Sequence, residues 1–124
     1  MYFSSDDGKQ VANWTEAKAI CQGFHVGSTL VSIRDQVDLD SVNEKVLGPT
    51  CIGGSDAEQE GVWKWEDGSP FDFTHWGTNE PNGNETENCL ELDYSLNFND
   101  ISCGGNFNRY YICASPNRVC PESW

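Results

Sequence analysis

The sequence predicts an α+β fold: two helices near the amino terminus, then short antiparallel strands and one long functional loop. Three observations predict it. Apolar residues recur at helical spacing only before Pro49. After Pro49 the texture changes to short β-rich runs punctuated by glycine and turn residues. Between Ser69 and Asn88 periodicity fades, yet Phe71, Phe73 and Trp76 lie inside that stretch, which is expected of a loop packed against a core.

The first helix should begin at Asn13, whose side chain can cap the helix with Glu16 three residues on. Ala17, Ile20, Cys21 and Phe24 follow the rhythm of one buried face, and Gly23 or Gly27 can end it. Leu30-Val31-Ser32-Ile33 reads as a short strand. A second helix should start near Asp35 and turn Leu39, Val42 and Val46 inward, stopping at Gly48-Pro49. Cys51-Ile52-Gly53-Gly54 and Val62-Trp63-Lys64-Trp65 are strand-like, with a turn at Asp67-Gly68. Leu90, Leu92 and Tyr94 alternate along a further strand, and Tyr110–Ala114 forms the last one. There is no internal repeat or linker, so residues 1–124 are expected to form a single domain.

A net charge of −13 argues against nucleic acid and anionic membranes as partners and in favour of cations. Five Trp, six Phe and four Tyr separate the chain from disordered acidic tails. Six cysteines in 124 residues point to disulfides, hence to a secreted or extracellular setting, and sequence alone leaves their pairing open. With no Cys-x-x-Cys and with His25 far from His75, structural zinc is not expected. No apolar run reaches the length of a membrane span. The first residues are not a secretory signal, so the chain reads as a mature domain or a piece of something longer. Asn13-Trp14-Thr15 and Asn84-Glu85-Thr86 match the N-glycosylation acceptor pattern.

The most informative stretch, Glu80 to Cys103, gathers carboxylates and amides in three groups: Glu80-Pro81-Asn82, Glu87, and Asn99-Asp100. Carboxylate and amide oxygens are what a hard cation selects, and calcium takes 6–8 of them at about 2.3–2.6 Å. Glu80, Glu87 and Asp100 more than balance a divalent charge, while Asn82 and Asn99 add neutral oxygens and spare N–H donors. A cation held this way on a loop can still coordinate hydroxyls of a ligand, which points to a sugar.

In order along the chain, a first helix ending in Cys21, the strand Cys51-Ile52-Gly53-Gly54, Trp76, Glu80-Pro81-Asn82, Glu87, Cys89, Phe98-Asn99-Asp100, Cys103 and Cys113 resemble the C-type lectin carbohydrate-recognition domain. The resemblance implies a calcium-binding loop in which Glu80, Asn82, Glu87, Asn99 and Asp100 hold the metal and also read the sugar. Six protein oxygens, one of them the Asp100 carbonyl, would leave about two places in an eight-coordinate shell for vicinal hydroxyls. It also implies a cis bond between Glu80 and Pro81. Glu-Pro-Asn resembles the mannose-type subgroup, which takes vicinal equatorial hydroxyls as in mannose, N-acetylglucosamine and glucose, with fucose hydroxyls also able to fit. Galactose, with an axial 4-hydroxyl, should fit poorly. Copies assembled as an oligomer would gain avidity.

By the same resemblance, an auxiliary calcium site falls on Asp56, Glu60, Glu87 and Asn88, with Gly83 where an acid is usual and Glu85 as a substitute. The family's two bridges fall on Cys21–Cys113 and Cys89–Cys103. Cys51 stands where the family has Trp; with Cys120 it lies outside those bridges, and the two are expected to form a third. The alternative is a buried Cys51 thiol, with Cys120 joined to another chain. Phe98 also replaces a Trp. A glycan on Asn84 would crowd the sugar site.

A rival reading within the same fold is a module that recognises protein or ice, with calcium only ordering the loop. Catalysis is not expected, and no residue is assigned a catalytic role. The chain carries neither Gly-x-Ser-x-Gly nor His-Glu-x-x-His, and carboxylates committed to calcium cannot serve as general acids.

Overall fold

Helix α1 covers Trp14–Gln22, capped by Asn13, whose side-chain oxygen accepts the Glu16 N–H at 2.9 Å. The computed structural model describes residues 1–78, 80–81 and 86–115. Gly23 closes α1, so Phe24 falls beyond it and is 39% exposed instead of sharing the buried face. Trp14 takes the inward role, donating its indole N–H to the Ile52 carbonyl at 2.7 Å. Helix α2, Gln36–Val42, starts from an Asp35 cap on the Asp38 N–H and buries Leu39 and Val42. A 3-10 turn, Asn43–Lys45, follows before buried Val46. Neither helix is long and apolar enough to cross a membrane.

The strands are β1 Tyr2–Phe3, β2 Thr29–Leu30, β3 Thr50–Ser55, β4 Lys64–Trp65, β5 Cys89–Leu92, β6 Phe98–Ile101 and β7 Tyr110–Ala114. They form one sheet in the order β1-β7-β3-β5-β6, with β2 paired to β7 and β4 to β3. Among the described strands only β3 and β7 pair in parallel. The expected strand at Leu30–Ile33 shortens to Thr29–Leu30, because Val31 leaves the ladder to bridge two strands. Its N–H donates to the Ile112 carbonyl at 2.9 Å and its own carbonyl accepts from Gly53 at 2.7 Å. The crossing is so close that a Cβ on Gly53 would stand 2.6 Å from the Leu30 carbonyl oxygen. Likewise the strand read at Val62–Trp65 pairs only over Lys64–Trp65, and Val62 is 41% exposed.

Strand β5 does not alternate. All four of its residues are buried, since β3 and β6 flank it and both its faces are covered. Tyr94 is not on it: the chain turns at Asp93, whose carboxylate accepts from the Ser95 and Asn97 N–H groups, and Tyr94 stands 74% exposed. Leu96 completes that turn at φ 67°, a left-handed conformation costly for a branched side chain, and it packs against the core.

The aromatic loop is packed, as its composition predicts. Phe98, fully buried, meets Trp65, Phe71, Phe73 and Trp76 edge-on, and Phe71 stacks on Trp65 at 4.7 Å between centroids. Phe98 is thus the large apolar side chain around which the loop packs. Disulfides Cys21–Cys113 and Cys89–Cys103 are both present. Among the described residues Cys51 is a free buried thiol; Cys120, and with it the proposed third bridge, lies outside them. Burial, then the nearby Glu91 charge, pushes the Cys51 thiol up to about 12.

Gly53→Ala should destabilise the fold by about 1–3 kcal/mol or more, because backbone and not a flexible side chain blocks the new methyl. Gly104→Ala, where a Cβ meets nothing, should change stability by less than about 0.5 kcal/mol. Urea denaturation of the two variants measures the contrast.

Candidate metal and ligand site

The long loop is stitched to β6 by backbone. Phe98 N–H donates to the His75 carbonyl at 2.7 Å, and Gly77 N–H donates to the Phe98 carbonyl at 3.0 Å, so residues 75–77 run beside the strand that carries Asn99 and Asp100. The His75 ring, through Nδ1, bonds the Leu96 carbonyl at 2.8 Å and ties the loop to the β5–β6 turn as well. Glu80 N–H then donates to the Gly77 carbonyl at 3.0 Å, which folds the loop back on itself. The Glu80–Pro81 bond is cis.

This stitching brings Glu80 onto Asp100, whose N–H donates to Glu80 Oε2 at 3.2 Å. Burial, then contact with the Asp100 side chain and the charges of Asp100 and Glu87, pushes the Glu80 carboxyl up to about 7; the Asp100 N–H works the other way. Glu87 is also raised, by burial first and then by Asp100 and Glu91. Among the described residues neither Glu80 nor Glu87 forms an ion pair with Lys or Arg. Glu80 therefore sits against Asp100 with the Glu87 charge within reach, an arrangement that a cation would relieve.

Gly77 sits where the loop passes close to β6. A Cβ there would lie 2.9 Å from Asn99 Oδ1 and 3.6 Å from Glu80 Cγ, so only glycine leaves the amide oxygen and the acid room on that side. Of the expected donors, the structure gathers Glu80, Glu87, Asn99 and Asp100, while Asn82 lies outside the described residues. Among the described residues no three His, Cys, Asp or Glu side chains form a metal-holding group on their own. The donor set is mixed by its chemistry, needing amide oxygens beside the acids, and it is of the type a hard cation takes.

At the auxiliary position Asp56 is 2% exposed. Its N–H donates to the Asn88 carbonyl at 3.0 Å and its Oδ2 accepts from Gly61 at 2.9 Å. Asp56 Oδ1 is buried with no hydrogen-bond partner among the described residues, a costly state that a bound cation would remedy. Glu60 is exposed nearby in sequence, Asn88 is half-buried, and Gly83, Asn84 and Glu85 lie outside the described residues.

Three residues beside the site escaped the sequence reading. Gly77 gave no signal beyond its position after Trp76. Glu91 did: an acid inside Cys89–Leu92 breaks an otherwise apolar run, and it is 6% exposed. Its partner Arg109, 18 residues on, donates from Nε to Glu91 Oε1. Burial raises the Glu91 carboxyl, while Arg109 and then a hydrogen bond from the Asn99 side chain draw it back.

A family model described as the lectin C-type domain matches residues 10–115. Lectin BRA-3 of Megabalanus rosa is 32% identical over 112 residues, which is 87% of this chain and 68% of that lectin. Three longer curated relatives are matched over 27–28% of their length. The carbohydrate-recognition domain of cow CD23, solved in the presence of a GlcNAc2Man3 oligosaccharide, superposes with a TM-score of 0.79 at 30% identity, covering 90% of this chain and 83% of that one. A calcium-independent type II antifreeze protein superposes with a TM-score of 0.75 at 27% identity, covering 84% and 78%. The packed aromatic loop, the two disulfides and the family match lead to one conclusion: the chain belongs to the C-type lectin domain family.

Proposed function

We propose that this chain is an extracellular, calcium-dependent carbohydrate-binding module for mannose-type sugars, acting by binding and not by catalysis. The observation that carries the reading is the convergence of Glu80 on Asp100, with the Glu87 charge within reach and the Asn99 amide oxygen beside Gly77, where only glycine leaves room. Glu80, Asn82, Glu87, Asn99 and Asp100 would hold the ion, and Asp56, Glu60, Glu87 and Asn88 an auxiliary one. Calcium held there would supply a Lewis-acidic centre to which vicinal hydroxyls could bind. The chain's own part is orientation: carboxylates accept from the hydroxyl hydrogens and amide N–H groups donate to the hydroxyl oxygens. Two disulfides support an oxidising, extracellular setting. The likeness to a calcium-independent antifreeze protein favours, as the second reading, an ice- or protein-binding surface. Elution from an immobilised glycan by free mannose separates the two.

Retention on mannose resin should require calcium, with an affinity for the ion of about 10⁻⁴–10⁻³ M. Protons compete for the same carboxylates, so acid should release ion and sugar together. Retention that persists in excess chelator would refute the mechanism.

Exchanging acid and amide, Glu80→Gln with Asn82→Asp, keeps the site's charge while reversing the donor and acceptor directions offered to the sugar. Calcium binding should survive and preference should move from mannose toward galactose, read by competition with the two free sugars.

Gly77→Ala should weaken calcium binding by about 10-fold, as displaced ligand supports generally do, while the melting temperature of the chelated protein stays close to the parent's. Isothermal titration with calcium and a thermal melt in chelator measure the two effects.

A further inference from the structure

We propose that Glu91, clamped by Arg109, is a positioning residue that holds the Asn99 side-chain amide with its oxygen toward Glu80 and its nitrogen toward Glu91. The inference rests on the calcium reading above, since it is the amide oxygen that a hard cation takes.

The two ends of an asparagine amide are nearly the same size and shape, so packing alone cannot choose between them. A carboxylate only accepts, and so it selects the NH2 end. Glu91 and Asn99 are direct cross-strand partners between β5 and β6, and the Asn99 side chain is among the groups that draw the Glu91 carboxyl down, as a donor facing it does. Asn99 Oδ1 lies on the other side, 2.9 Å from where a Gly77 Cβ would stand, against the loop that carries Glu80. With one amide hydrogen given to Glu91, the second remains for a ligand oxygen.

Glu91 suits the role because it cannot swing away. It is 6% exposed, with Arg109 Nε on its Oε1. Arg109 is fixed in turn by the Asn108 carbonyl at 3.3 Å and by the Phe107 ring, 4.8 Å from the guanidinium to the centroid. The pair is neutral as a unit, so it orients a ligand group without adding net charge beside a cation. A buried acid in the middle of β5 is costly unless so partnered, and a stable sheet alone gives no reason for it.

The test uses the full isotope-labelled chain in chelator, then in calcium. In the parent, NMR should show the Asn99 NH2 protons well separated and slow to exchange, with a coupling across the hydrogen bond to the Glu91 carboxylate carbon. A freely rotating Asn99 amide without that coupling would overturn the proposal, and this measurement needs no variant to fold. Glu91→Gln, which can donate or accept, should erase the amide signature and weaken calcium binding about 10-fold. Wild-type affinity in E91Q would also overturn it. Asn99→Asp should cost affinity beside Glu91 and regain it in the E91Q background, whereas losses that merely add speak against positioning. If the parent takes up no calcium, the metal reading fails, while the amide measurement in chelator still decides the orientation.

Discussion

Phe98 fastens the long loop to the sheet. Four aromatic side chains close on its ring, and its own N–H and C=O are spent on His75 and Gly77. That is an unusual concentration of constraint on one residue. Buried aromatic contacts supply the attraction, and backbone hydrogen bonds supply the register. The next two residues of the strand, Asn99 and Asp100, are held against whatever the loop presents at that register. The position of Glu80 is therefore a consequence of packing some way from it. Loss of the Phe98 ring would free the loop and the strand at once.

The acidic character of the chain takes on a local meaning at this point. Most of its carboxylates are solvated or paired, as Asp6 is with Lys45 and Asp38 with Arg34. At Glu80 and Glu87 burial raises the carboxyls first, and the like charges nearby, Asp100 above all, add to it. The fold holds this arrangement because the loop is anchored by apolar contacts and main-chain bonds, which do not depend on the charges. Glu91 shows the opposite solution one strand away. There an arginine is supplied and the acid is settled.

How much of this was legible depends on how local the cause is. Both helix starts could be read, because Asn13 and Asp35 act on N–H groups three residues away. The order of the cysteines could be read too, since Cys21–Cys113 and Cys89–Cys103 follow the pairing that the resemblance implies. Strands β1 and β6 could not: two or four residues carry no periodicity of their own, and pairing defines them. Tyr94 was misread because apolar alternation runs past the point where Asp93 turns the chain. Phe24 was misread because helical spacing continues past the Gly23 cap. The Glu91–Arg109 pair depends on tertiary contact across 18 residues.

The Cys21–Cys113 bridge bears on how the domain would carry a pull. It joins two residues 92 positions apart, one at the base of α1 and the other in β7 opposite Tyr2. Tension applied between residue 1 and residue 115 can peel β1 from β7 and then draw out the chain before Cys21. From there the load passes through the covalent bridge into β7. Everything between the two cysteines, including the aromatic loop and the acids of the site, hangs outside the force path as a closed ring. The domain can thus be stretched at its ends while the loop and the acids beside β6 bear none of the strain.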